Sequence, residues 1–229
     1  MTTPMVPGPT GNAPANKERS LLPAKIKPAV VTVGGFAVLI TLIQVVNSLT
    51  SYRMDVHLGI VPRSVHGLIG ILTAPLLHLS WPHLLSNLIP LVVFGFLIMV
   101  GSVRQFVAVT VLVWLIAGLG VWLVAGSNSY TVGASGVVFG WLAYLVSRGV
   151  FTRRVGQIAV GLVLLVIYGG LFWTGIVKVA VADIGGAVSV SWQDHLFGAI
   201  GGVLAAFLVA KADGPRRPKQ TTPALPPGL

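Results

Sequence analysis

A few residues in this chain can do chemistry where most of their neighbours cannot: Ser135, His195, His78, His83 and Asn87. Ser135 lies in Gly133-Ala134-Ser135-Gly136, and His195 opens a His-x-x-Gly-x-x-x-Gly pattern ending at Gly202. His78, His83 and Asn87 follow His-x4-His-x3-Asn. All fall in or beside long apolar runs, where polar and titratable groups are costly and usually functional. A hydroxyl, an imidazole and further hydrogen-bond donors are the components of acyl transfer: a nucleophile, a general base, and groups to hold an oxyanion.

Each feature also has a plainer reading. In a chain with 28 glycines, a Gly-x-Ser-Gly match alone is a weak signal. It also describes a small-residue packing face, with Gly136 and Gly140 at i and i+4. Favouring a nucleophile is the placement of Ser135 at a helix start, where free backbone N–H groups can hold an oxyanion. His195 reads equally as an interfacial histidine beside a polar loop. Gly198 and Gly202, however, share its helix face at i+3 and i+7. They let this helix approach the Gly136/Gly140 face, which brings His195 towards Ser135 as a general base requires. His83 and Asn87 project from one helix face, as an interfacial anchor and an interhelical hydrogen bond in the plainer reading. Zinc is the sharper rival there, but no carboxylate accompanies these residues and no His-Glu-x-x-His occurs, so no metal is expected. Asp194 reads as an acid suited to the N-terminus of its own helix. Adjacent helical residues diverge too widely for it to buttress His195 while both face one partner.

The scaffold for these groups can be read from composition. Of 229 residues, 55% are hydrophobic and 9% charged, with a mean hydropathy of +0.89. A soluble domain needs far more charge to cover its surface, so the expected class is an all-α, multi-span membrane protein. A net charge of +10 would suggest nucleic acid for a soluble protein. Here the basic residues flank the apolar runs, so they read as topology signals and no nucleic-acid partner is expected. The absence of cysteine excludes disulfides, thiol catalysis and thiolate metal sites.

Apolar runs at Ala29–Leu49, Leu84–Val100, Phe106–Ala125, Val132–Val146, Val155–Val177 and Leu196–Ala210 predict six spans within a domain covering residues 29–211. A full crossing takes about 20 apolar residues, and the second, fourth and sixth runs fall short of that. Residues 1–28 are expected as a disordered cytoplasmic tail without a removable signal peptide, and residues 212–229 as a second cytoplasmic tail. Thr50–Trp81, broken by Pro62 and Pro75, reads as a long outer loop lying partly in the interface.

Placing the N-terminus inside leaves only Arg53, Arg63 and Lys178 of the 15 basic residues outside, so both termini are expected in the cytoplasm. Asn87, Ser135 and His195 then precede Arg104, Arg148 and Lys211 on spans that all run inward. Those separations put the three groups roughly 20–26 Å above the cytoplasmic boundary, at comparable depth. Short helices ending below the surface imply a water-filled cavity open to the outside, because unpaired backbone ends cannot face lipid.

Taken together, these motifs resemble the rhomboid family of intramembrane serine proteases in order, spacing and topology over roughly residues 29–211. The resemblance implies a six-transmembrane-helix rhomboid-like bundle, with Ser135 as nucleophile and His195 as base. It implies Asn87 and His83 as oxyanion donors, and Phe139, one turn after Ser135, stacked on the catalytic imidazole. Implied partners are transmembrane protein substrates and the lipid bilayer, with the plasma membrane as the location and no cofactor. Many rhomboids carry a Trp-Arg pair in the first outer loop, and Thr50–Trp81 contains none. A non-catalytic relative would have lost the nucleophile or the base, and both are present. A small transporter would be expected to show an inverted repeat or an intramembrane carboxylate pair, and neither is evident.

Overall fold

A computed structural model describes residues 26–184 and 190–214. The elements in chain order are α1 (Ile26–Leu49), α2 (Arg53–Leu58), α3 (Gly70–Thr73), α4 (Trp81–Gly101), α5 (Val103–Val124), α6 (Ser135–Thr152), α7 (Val155–Tyr168), α8 (Gly170–Phe172), α9 (Val179–Ile184) and α10 (Trp192–Asp213). Short 3₁₀ turns flank α3, and a π-helical turn, Trp173–Lys178, joins α8 to α9. Among the described residues there is no strand, only an isolated antiparallel bridge between Ile60 and Thr131. The expected tails lie almost wholly outside the described residues.

Three of the long helices start where a serine side chain can satisfy one of their first N–H groups. Ser80 accepts from the His83 N–H at the start of α4, Ser102 from Gln105 at α5, and Ser191 from Asp194 at α10. That last bond corrects one expectation. The cap of α10 is Ser191, and the Asp194 carboxylate is directed elsewhere.

α1, α4, α5, α6 and α10 are each long and apolar enough to cross a membrane. The remaining expected span is not one rod. α7 and the segment from Gly170 to Asp183 meet at a 51° bend, beside the Gly169-Gly170 pair. Glycine pairs are a recognised cause of such kinks. Counted as one span, this bent pair completes the six-helix, rhomboid-like bundle. α6 is the central helix: 61% of its most apolar stretch is buried, against 22% for α1. Trp141, Leu142 and Tyr144 of α6 pack with Leu91 and Phe94 of α4 in the main apolar core.

α6 and α10 lie in backbone contact. A Cβ on Gly198 would fall 2.1 Å from the Gly136 carbonyl oxygen, and one on Gly202 would fall 2.0 Å from that of Gly140. Only glycine at those positions permits so close an approach. This contact brings the start of α6 against the start of α10, with Ser135 bonded to Asp194 and Phe139 stacked on His195.

The stretch between α1 and α4 is more structured than a loop. Ile60, Ile71, Ala74 and Leu77 are buried in it. The Trp114 indole donates to the Ile71 carbonyl (2.8 Å), and the Trp122 indole to the Ser64 carbonyl (2.9 Å). Arg63 returns to α5 through its N–H, which donates to the Trp122 carbonyl (3.0 Å), and its guanidinium, which donates to the Leu123 carbonyl (3.0 Å). Arg63 of this stretch and Trp122 of α5, distant in sequence, thus meet through their main chains.

Candidate active site

Ser135 is the first residue of α6, and the segment leading into it is held from two sides. Thr131 and Ile60 exchange backbone hydrogen bonds at 3.0 and 2.9 Å, and the Gly133 N–H donates to the Ala74 carbonyl (2.9 Å). Gly133 adopts φ +129°, in the region that favours glycine. A Cβ there would lie 2.8 Å from His83 Cε1 and 3.6 Å from Ser135 Oγ. The His83 ring therefore lies against the turn that presents the serine.

His78, fully buried, supports that turn from behind. Its Nε2 accepts from the Ala134 N–H (3.4 Å), and its ring meets His83 edge-on with centroids 5.1 Å apart. Burial, aided by the neighbouring His83, lowers its pKa from 6.5 to about 3. It is a neutral acceptor, with its proton on Nδ1.

His195 is the fourth residue of α10 and is buried, 5% exposed. Its Nδ1 lies 2.7 Å from the Gly175 carbonyl oxygen in the π-helical turn. A carbonyl can only accept, so the proton of the neutral ring is fixed on Nδ1 and Nε2 keeps its lone pair. The ring stacks on Phe139, with centroids 4.1 Å apart and planes within 2°. Gly175 completes the packing, since a Cβ there would lie 2.4 Å from Phe139 Cζ.

Ser135 Oγ donates to Asp194 Oδ2 (3.1 Å), and no hydrogen bond joins it to His195. Asp194 is 6% exposed, lies over Gly136 and also accepts from the Gly136 N–H. α6 has no capping side chain of its own, because Ala134 holds the cap position. The Asp194 carboxylate supplies that cap from the neighbouring helix, at an end that favours negative charge. Asp194 makes no hydrogen bond to the His195 ring. Asn87, 5% exposed, turns its amide back to the His83 carbonyl (3.0 Å). The arrangement brings Ser135, His195, Phe139, His83 and Asp194 together. It leaves Asn87 bonded within its own helix.

A polar cluster beside this region was not singled out by the motifs. Asn47, fully buried on α1, donates to Asp55 Oδ1 (2.8 Å) and the His78 carbonyl (3.4 Å). Asp55 is fully buried, and desolvation raises its pKa against the lowering effect of the Asn47 bond. The amide of Gln44, one turn earlier, has no partner among the described residues. A signal was available: Gln44 and Asn47 are polar residues inside an apolar run, as Ser135 is.

Comparison with known proteins accords with this geometry. The family described as the Rhomboid domain matches residues 65–212. Uncharacterized protein Rv1337 of Mycobacterium tuberculosis is 40% identical over 184 residues, covering 78% of this chain and 74% of that protein. Uncharacterized protein Mb1372 of Mycobacterium bovis shows the same identity and coverage. Uncharacterized protein ML1171 of Mycobacterium leprae is 39% identical over 185 residues, covering 79% and 71%. The match takes in α4 to α10 and every residue gathered around Ser135, so the chain belongs to the rhomboid family, whose members are intramembrane serine proteases.

Proposed function

We propose that this protein hydrolyses peptide bonds in or near transmembrane helices of membrane-protein substrates with a Ser135–His195 dyad. The observation that carries this reading is the bond from His195 to the Gly175 carbonyl, which leaves Nε2 as an acceptor beside the nucleophile's helix. In the resting arrangement the Ser135 hydroxyl faces Asp194. Rotation about χ1 turns it to Nε2, which takes its proton as Oγ attacks the substrate carbonyl carbon. Catalytic hydrogen bonds are often poorly aligned without substrate and form fully only when it binds. The oxyanion is held by the Ser135 backbone N–H, by His83, whose ring lies against Gly133, and by Asn87 once its amide leaves the His83 carbonyl. His195 then returns the proton to the leaving amine, the peptide C–N bond breaks, and water hydrolyses the acyl-enzyme. The substrate helix enters laterally and partly unwinds to present an extended segment.

By the same proposal, residues 29–211 form the catalytic domain and the protein resides in the plasma membrane. Both tails, 1–28 and 212–229, lie with the Arg148–Arg154 loop in the cytoplasm.

The test is cleavage of a single-span substrate by reconstituted protein. Ser135→Ala, His195→Ala and the double variant are expected to lose similar amounts of activity, because residues that act as a unit are strongly non-additive. A serine-directed mechanism-based inhibitor is expected to label Ser135. Full cleavage by a folded Ser135→Ala variant would rule the reading out.

A further inference from the structure

A second polar cavity lies at the opposite end of α6. Ser135 and Arg148 are separated by roughly 20 Å along that helix, at 1.5 Å per residue. The cavity, of about 450 Å³, is bounded by α4, α5, α6, α7 and the end of α10. Its polar lining is Gln105, Tyr144, Arg148, Arg154, Gln157 and Asp213.

Arg148 is anchored in this wall. It donates through Nη1 to Gln105 Oε1 and the Tyr144 hydroxyl, and Nη2 lies 3.4 Å from Asp213 Oδ2. Its Nε, also buried, has no partner among the described residues. Arg154 is half-buried, and among the described residues its guanidinium forms no hydrogen bond or ion pair. It precedes α7, which has no side-chain cap, and Gly156 in the first turn of that helix lines the same cavity. Two guanidinium groups against one carboxylate, beside an uncapped helix start, favour an anion with several acceptor oxygens. The rest of the wall is apolar, including Leu97 of α4 and Val160 of α7.

We propose that this cavity binds the phosphate headgroup of an anionic phospholipid, with acyl chains lying along the apolar wall. A free phosphate would satisfy the guanidinium groups but leave that wall uncovered, so the combined lining favours a lipid. Basic pockets between transmembrane helices on the cytoplasmic side are known headgroup sites. The positive-inside reading places Arg148, Arg153 and Arg154 on that side.

The test is native mass spectrometry of the full-length protein released from detergent with phosphatidylglycerol or phosphatidylcholine. Melting temperature is measured in parallel with each lipid and with inorganic phosphate. Phosphatidylglycerol is expected to be retained in preference to phosphatidylcholine and to raise the melting temperature where inorganic phosphate does not. Arg154→Gln is expected to weaken phosphatidylglycerol retention about five-fold, the factor for one basic group at a membrane surface. Arg153→Gln, which alters an exposed neighbour outside the cavity, is expected to leave retention unchanged. Gly156→Asp offers a second route, since a Cβ there meets nothing within 4 Å, and its charge is expected to repel the headgroup. The proposal is overturned if both lipids are retained equally, or if folded Arg154→Gln and Gly156→Asp variants bind like the wild type. It is equally overturned if Arg153→Gln matches the loss in Arg154→Gln, or if inorganic phosphate stabilises as well as the lipid.

Discussion

Asp194 gives the Ser135 hydroxyl an acceptor without touching the imidazole, so its role differs from that of a triad carboxylate. Asp194→Asn retains a side-chain oxygen for that hydroxyl and is expected to keep kcat within about ten-fold of wild type. Loss of a true triad carboxylate costs about 10⁴. Phe139→Ala removes the stacking partner of His195 and is expected to lose more; steady-state kinetics on the two variants decides the order. His78 makes a prediction in pH. Its folded-state pKa of about 3 lies below 6.5, so the unfolded chain binds more protons between those values. Stability contributed by His78 is therefore complete above pH 6.5 and falls as the pH drops towards 3. His78→Gln can still accept from Ala134 and is expected to flatten that acid limb in thermal unfolding curves. The stacking of Phe139 on the His195 ring followed from the family resemblance alone, and the place of Ser135 at a helix start was legible from its type and spacing. The target of Asp194 was not, because it depends on the axial register between α6 and α10. Nor was the Asn47–Asp55 pair, which forms only when α2 folds back on α1.

The α6–α10 contact shows how an element can matter without supplying a reacting atom. Gly198→Ala or Gly202→Ala would drive a methyl group into a carbonyl oxygen of α6, which cannot yield without separating the helices. Each is expected to lower stability by about 1–3 kcal/mol or more, the scale of overpacking, and to reduce turnover as well. Gly34→Ala on α1, with nothing within 4 Å of its Cβ, is the control. It is expected to be neutral or to stabilise, since alanine is the better helix former by about 0.5–1 kcal/mol. Thermal unfolding of the three variants in one detergent separates the outcomes. Helix positions followed from apolar run length, which is why most spans were readable. The bend in the fifth was hidden because Val155–Val177 is apolar almost throughout, and hydropathy does not register direction. The segment after Leu49 looked like a loop because its short helices are stabilised by tertiary bonds from Trp114 and Trp122 rather than by their own length.

At the scale of the whole molecule, orientation can be tested simply because the chain has no cysteine. Asn128→Cys, between α5 and α6, is expected to react with a membrane-impermeant thiol reagent in intact cells. Thr152→Cys, at the other end of α6, is expected to react only after the membrane is opened. The reverse pattern would invert the proposed topology and place Ser135 at the cytoplasmic end. The bundle also joins its parts through main-chain atoms, and at Gly175 this limits what side-chain replacement can reveal. The atom that fixes the proton on His195 is a carbonyl oxygen, so no replacement at this position deletes it. Every replacement instead places a Cβ 2.4 Å from Phe139 Cζ and 3.2 Å from His195 Nδ1. A mutational scan would score Gly175 as intolerant and attribute the effect to size. The hydrogen bond itself would stay invisible to genetics, exposed only by a backbone ester substitution or by nitrogen chemical shifts of the imidazole.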